Sequence, residues 1–117
     1  MESGDFKSAI QSFSQAAEYY EQAYGPNHPT LAEVAVNQGN AYQEIGNYAN
    51  ALQRFQFARL LIEDQYSSTA PNRIPALLGQ ASALQQMNQD TLAIPVFQLA
   101  LRQIQTQLGP DHPLLPN

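Results

Sequence analysis

The sequence repeats itself with a period of 42 residues, and this constrains the fold more than any other feature. The phrase YGPNHPTLAE, which starts at Tyr24, returns as LGPDHPLLPN at Leu108, two periods later. Between them, alanine and phenylalanine columns recur without a gap at Ala9, Ala51 and Ala93, and at Phe13, Phe55 and Phe97. A period of this length is typical of solenoids, in which each unit buries its apolar face only against its neighbours.

The apolar residues within one unit have helical spacing. In the middle unit they occupy positions i, i+4, i+7 and i+11 of one helix face, which are Ala51, Phe55, Ala58 and Ile62. A second stripe of similar spacing precedes this one, so each full unit contains two helices. The pattern predicts an all-α fold of five helices, at about 5–24, 29–45, 48–66, 71–87 and 90–108.

Turn-forming residues separate the predicted helices. Gly46 follows a helix at the point where a left-handed residue is needed, and Asn88 occupies the same column. Asp5 and Asn47 come next, where a side-chain oxygen can cap the N-terminus of a helix. A proline opens each first helix, where a missing N–H has no cost; these are Pro29, Pro71 and Pro113.

Small and aromatic residues alternate at fixed places in each unit, as at Gly39, Tyr42, Gly46, Tyr48, Ala51, Phe55 and Ala58. In these columns the sequence resembles the tetratricopeptide repeat family. Its period and its closing Leu-Gly-Pro-Asp-His-Pro are similar to the longer variant of kinesin light chains, over residues 4–113. The resemblance implies a right-handed α-solenoid of antiparallel helix pairs, about two and a half repeats, in a single domain 1–117. The expected units are 1–28 (partial), 29–70 and 71–112, with a tail at 113–117.

The resemblance is incomplete at four positions. Gln38 and Gln80 stand where the family usually has leucine, so they either thin the core or face the groove. The third unit has Asn88 and Asp90 in place of the usual glycine and aromatic residue, which predicts a looser turn.

The first predicted helix has no preceding partner helix in its unit. One side of its apolar stripe is therefore expected to be exposed, at Phe6, Ile10, Phe13 and Ala17. This exposure predicts a homodimer, or end-to-end stacking, through that face.

Charge and composition exclude several classes of function. The net charge is −5, and the five basic residues are too few and too dispersed for the phosphate contacts of nucleic-acid binding. No apolar run approaches the roughly 18 residues of a membrane span, so membrane insertion is not expected. The chain has no cysteine, and its start, MESGDFKSAI, lacks the segments of a signal peptide. We therefore expect a cytoplasmic protein.

The sequence contains no pattern typical of a catalytic, cofactor-binding or metal site. His28 and His112 share a column but lie two units apart, on the order of 20 Å or more, so they cannot bind one metal ion. Glu63 and Asp64 form a close acid pair with no evident basic partner, and we expect them to be solvated. The six tyrosines fall mostly on apolar stripes, which predicts core packing.

The resemblance implies a concave groove that is lined by the first helices of the units and holds peptides or partner helices. The candidate groove residues lie on these helices but off the packing stripe: Glu33, Val36, Asn37, Asn40, Gln43, Glu44, Leu78, Ser82, Gln85 and Gln86. Asn37 matches an asparagine common in the family, and its amide can bond a peptide backbone; solvation or a bond to a neighbouring helix is the alternative. Arg73 is the only basic residue on these helices, so the partner is not expected to be strongly acidic.

The sequence therefore predicts a non-catalytic protein–protein interaction scaffold, without a cofactor, that binds a peptide or partner helix in the concave groove. Two alternatives stay open. One is a self-assembly or spacer module that works through its end helices, and the other is the regulatory arm of a larger multidomain protein.

Overall fold

The computed structural model describes residues 3–67 and 70–108, which form five α-helices. They are α1 (Ser3–Tyr24), α2 (Thr30–Glu44), α3 (Tyr48–Gln65), α4 (Arg73–Gln86) and α5 (Asp90–Leu108). All five predicted helices are confirmed, and their ends lie within about two residues of the expected ones. The second histidine, His112, and the predicted tail 113–117 lie outside the described residues.

The helices form two layers. Each helix packs against the next one in the chain, and the backbone of α2 also comes close to that of α4, whereas in the described ranges the backbones of α1, α3 and α5 do not approach each other as closely. The inner layer is therefore α2 and α4, and the outer layer is α1, α3 and α5. The closer approach of the inner pair curves the array and places α2 and α4 on its concave side. The chain is thus an all-α solenoid of antiparallel helices, as expected.

Left-handed residues follow three of the described helices, and two of them are in the predicted column of Gly46 and Asn88. Gly25 and Gly46, which follow α1 and α2, have φ angles of 95° and 80°. Asn88, which follows α4 in the same column as Gly46, has a φ of 61°. Glycine has no Cβ to resist this conformation, and asparagine tolerates it better than most residues. The turns after α1, α2 and α4 are therefore fixed by local sequence.

Of the two predicted N-caps, one is present. Asn47 caps α3, and its Oδ1 accepts the N–H of Asn50 at 3.3 Å. The prediction for Asp5 is wrong, because α1 begins at Ser3 and Asp5 lies inside the first turn. There its negative charge still favours the helix, since the backbone N–H groups at a helix N-terminus carry partial positive charge.

The core is organised around Phe55 of α3, whose ring lies between the two inner helices. Phe55 is completely buried. A Cβ atom built on Gly39 of α2 would lie 2.7 Å from this ring, and one built on Gly79 of α4 would lie closer still. Non-bonded carbon atoms do not approach to such distances, so α2 and α4 reach the ring only because neither has a side chain there.

Gln38 and Gln80 lie in the core rather than in the groove. Both are buried, with 5% and 8% of their surface exposed. Gln38 Nε2 donates a hydrogen bond to Ser14 Oγ of α1 at 3.2 Å, and Gln80 Oε1 accepts one from Arg59 Nη1 of α3 at 3.1 Å. These bonds offset part of the cost of burying an amide. Gln38 Oε1 is buried and has no partner among the described residues.

We expect Gly79→Ala to destabilise the protein by about 1–3 kcal/mol, because the added methyl group would overlap the Phe55 ring. The effect opposes helix propensity, which favours alanine over glycine by about 1 kcal/mol. Urea unfolding measures the change in the free energy of unfolding. In a Phe55→Leu background the same substitution should cost much less, because the ring is gone. A Gly79→Ala variant more stable than the parent would contradict this packing.

Candidate functional site

One row of α2 side chains faces the concave side. Its members are spaced at i, i+4, i+7 and i+11, which places them on one helix face, and they are Glu33, Asn37, Asn40 and Glu44. All four are exposed or half-buried. Residues on the other faces of α2, such as Leu31, Ala35 and Gln38, are buried. The concave row is therefore the part of α2 that is available to a partner.

A cleft of about 290 Å³ opens between the start of α2, the end of α3 and the start of α4, and is termed here the α2–α4 cleft. It brings together three of the predicted groove residues, Glu33, Val36 and Asn37. Val36 and the buried Ile62 supply apolar surface, and Glu33 and Asn37 supply polar groups. The other lining residues are Pro29, Thr30, Ala32, Tyr66, Asn72 and Pro75. The side chain of Asn37 makes no hydrogen bond to any described residue, so its amide is free for a ligand.

A second cleft, of about 460 Å³, lies between α1 and α2 and is termed the α1–α2 cleft. Its walls are Phe6, Ala9 and Phe13 of α1 and Asn37, Asn40, Ala41 and Glu44 of α2. The sequence analysis treats the α1 face and the groove residues of α2 as two separate surfaces, whereas in the structure residues of both line the α1–α2 cleft. Asn37 lines this cleft and the α2–α4 cleft.

The α1 stripe is less exposed than expected. All four of its predicted members, Phe6, Ile10, Phe13 and Ala17, are half-buried. Ala17 packs against a core cluster formed by α2, α3 and the start of α4, because α1 packs against α2. Phe6 and Phe13 keep part of their surface open to the α1–α2 cleft.

The remaining groove candidates do not join either cleft. Gln43 Nε2 donates a hydrogen bond to the carbonyl oxygen of Gly79 at 3.3 Å, so Gln43 ties α2 to α4. Gln85 lines a separate cleft between α4 and α5, beside Phe97. Leu78 and Gln86 are exposed on α4, and Ser82 is half-buried.

The predicted burial of the tyrosines is wrong for half of them. Tyr19, Tyr24 and Tyr66 are 65%, 60% and 56% exposed. Tyr24 is the last residue of α1 and Tyr66 is the residue that follows α3, so both lie where a helix ends. Tyr66 therefore lines the α2–α4 cleft, a role that its repeat column gave no reason to expect.

The predicted solvation of Glu63 is also wrong, because it is the centre of a polar network. Its Oε2 accepts hydrogen bonds from Arg59 Nε at 2.9 Å and from Arg73 Nε at 2.7 Å. Arg73 also donates from Nη1 to Gln103 Oε1 at 3.2 Å, and Gln103 Nε2 donates to the carbonyl oxygen of Ala70 at 2.7 Å. The network links α3, α4 and α5, and it turns the Arg73 guanidinium away from the concave side.

The network lowers the pKa of Glu63. Partial burial alone would raise that pKa, because it disfavours the charged carboxylate. The hydrogen bonds and positive charges of Arg59 and Arg73 outweigh this effect, so the pKa of Glu63 lies below the ordinary value of 4.5. The carboxylate is thus held in its charged form by the fold.

His28 lies in the turn between α1 and α2. Its Nδ1 accepts the backbone N–H of Thr30 at 3.2 Å, and its ring lies 4.6 Å from the ring of Tyr24. Over residues 3–67 and 70–108, no three acidic or histidine side chains are grouped as metal ligands. No helix in the same ranges is long and apolar enough to span a bilayer.

The comparisons with known proteins agree with the helical repeat. A model of the tetratricopeptide repeat family matches residues 1–59, half of the chain. No curated protein shows detectable similarity to the chain. Repeats of the matched family generally mediate protein–protein interaction and are typically non-catalytic.

We expect Glu63→Gln to destabilise the protein at pH 7 by about 1–3 kcal/mol, because it leaves two guanidinium groups without their carboxylate. Since the folded pKa of Glu63 is lowered, its contribution is complete above the unfolded value near 4.5 and is lost as the pH falls through the folded pKa. The difference between parent and variant should therefore shrink below pH 4.5. Urea unfolding at pH 7 and at lower pH measures it.

Asp64→Asn is the matched control, because it removes a neighbouring carboxylate that is exposed and has no ion pair among the described residues. Its effect should be small at both pH values. An equal loss in both variants would contradict the central role of Glu63.

Proposed function

Because the chain belongs to the tetratricopeptide repeat family, we propose that it is a non-catalytic scaffold that binds an extended peptide of a partner protein in the α2–α4 cleft. The observation that carries this proposal is the half-buried Asn37 amide, which has no partner among the described residues and stands beside the apolar surface of Val36 and Ile62. The 42-residue period further favours the kinesin-light-chain-like type of repeat.

The chemistry of Asn37 suits a peptide backbone. Its amide offers two N–H donors and a carbonyl acceptor, so it can bond both the C=O and the N–H of an extended chain whatever the side chains are. A cleft of about 290 Å³ is at the lower limit for small-molecule sites, which begin at roughly 300 Å³. It therefore suits one anchoring apolar side chain of a longer peptide, with Tyr66 and Pro75 beside it.

The charge of the cleft favours a neutral or basic peptide. Glu33 is the only charged residue in its lining, and Glu44 extends the same row of α2. Arg73, the one basic residue of the inner helices, has its guanidinium bonded to Glu63 and Gln103 instead. A lysine or arginine of the peptide beside Glu33 would thus meet no opposing cation.

The same lining supports a binding role rather than catalysis. A lone carboxylate without a histidine, cysteine or second acid beside it has no partner for acid–base or nucleophilic chemistry. We place the interaction in the cytoplasm, since a chain without cysteine has no need of an oxidising compartment.

The test starts from peptides selected on the parent chain from a displayed library. Asn37→Ala should weaken the selected peptides by about tenfold or more, because it removes hydrogen bonds to their backbone. Glu33→Lys should weaken the basic peptides among them by a similar factor. Titration calorimetry measures both affinities, and unchanged thermal unfolding shows that these surface variants are folded.

Asn40→Ala is the matched control, because it removes the same amide from the same helix, and Asn40 lines the α1–α2 cleft but not the α2–α4 cleft. It should leave the affinity within about twofold of the parent. Peptides that lose affinity for Asn40→Ala but not for Asn37→Ala would place the binding site elsewhere and contradict the proposal.

A further inference from the structure

The α1–α2 cleft has a counterpart one repeat further along the chain. Adding one period of 42 to its wall residues Ala9, Phe13 and Ala41 gives Ala51, Phe55 and Ala83. These three residues form one core cluster and are completely buried, whereas Ala9 and Phe13 are only half-buried. The two surfaces therefore share an alanine, a phenylalanine and a second alanine at equivalent positions, and in one of them these residues are covered by a further helix.

The cover of the second surface is α2 itself. Gly39 of α2 lies against the Phe55 ring, so closely that a Cβ would be 2.7 Å away. Val36 and Tyr42 pack against the same cluster on either side of that glycine. Gln43 then donates its hydrogen bond to the carbonyl oxygen of Gly79 at 3.3 Å. The structure thus contains the helix that fits this surface, in its bound position.

We propose that the α1–α2 cleft binds an amphipathic helix of a partner protein, in the way that α3 and α4 bind α2. The helix carries a large apolar residue, a small residue, a second large apolar residue and a glutamine at i, i+3, i+6 and i+7. In α2 these positions are Val36, Gly39, Tyr42 and Gln43, and in α4 they are Leu78, Ala81, Leu84 and Gln85. It lies antiparallel to α1 and parallel to α2.

The residues that line the α1–α2 cleft also indicate the charge of the helix that it would bind. Asn37 and Glu44 stand where the counterpart surface has Gly79 and Gln86, so this cleft is more polar and more acidic at its edge. A helix with lysine, arginine or amide side chains along that edge is therefore favoured over an acidic one. This partner is a helix, and its site is distinct from the extended-peptide site proposed above, although Asn37 touches both.

A second folded copy of the chain is a poorer occupant, because its α2-type helices are already in use. The stripe of α2 packs on α3 and α4, and Ala81 and Leu84 of α4 are buried in a cluster with α5. Neither helix can enter another molecule's cleft unless its own core opens. A helix of another protein that is not packed in a core of its own has only the entropic cost of becoming ordered when it binds.

The probe is a fluorescein-labelled peptide of residues 29–45 of this chain, with Glu33→Gln and Glu44→Gln to reduce its negative charge. Fluorescence anisotropy follows its binding to the full chain. Asn40→Trp fills the cleft from an exposed position and should weaken the probe by about tenfold or more. Gln11→Trp adds the same side chain on the opposite, exposed face of α1 and should change the affinity by less than about twofold.

A second experiment changes the probe peptide instead of the protein. A probe that also carries Gly39→Leu should bind about tenfold more weakly or worse, because leucine would collide with Phe13 as it would with Phe55. Leucine is the better helix former, so this loss cannot come from a less helical peptide. Glu33→Lys in the protein should leave the probe's affinity unchanged, which separates this cleft from the peptide site.

Three outcomes of the binding experiment overturn the proposal. They are no binding of the probe at millimolar concentration, equal binding by the parent and Asn40→Trp, and equal binding of the Gly39→Leu probe. Sedimentation of the parent as a dimer that Asn40→Trp makes monomeric would also overturn it, because a second copy would then occupy the cleft.

Discussion

The contact of the Phe55 ring with two glycines is the constraint on which the rest of the structure depends. One aromatic side chain from the outer layer reaches between both inner helices, and the absence of side chains at Gly39 and Gly79 lets those helices close on it. The inner helices therefore lie nearer to each other than the outer ones do. The curvature of the array, and with it the concave row of α2, follows from that single close approach.

The sequence is sufficient to predict the helices and their order, because the signals are local and repeated. A positive φ at a glycine or asparagine that follows a helix, such as Gly46 or Asn88, can be predicted from the neighbouring sequence without knowledge of the fold. The hydrogen-bond partners of long polar side chains cannot be predicted in this way. Glu63 meets Arg73 and, through it, Gln103, and no local pattern shows that these residues converge from three helices.

The sequence predicts that the candidate residues of α2 form a row along the helix, but it does not predict the two clefts that they line. Helical spacing places Glu33, Asn37, Asn40 and Glu44 on one face of α2. Which of them share a cleft depends on the helices to either side, α1 for one end of the row and α4 for the other. The role of Tyr66 was not predicted, because its repeat column marks an apolar position, whereas Tyr24 and Tyr66 in that column are both exposed.

The position of Asn37 on the ridge between two clefts has a consequence for how the clefts behave together. A single amide cannot orient its donors and acceptor towards both sides at once. A ligand that fixes the side chain on one side withdraws it from the other, and by thermodynamic reciprocity the second ligand opposes the first to the same extent. If both proposed ligands bind, each would in this way oppose the other, even where the two ligands never touch.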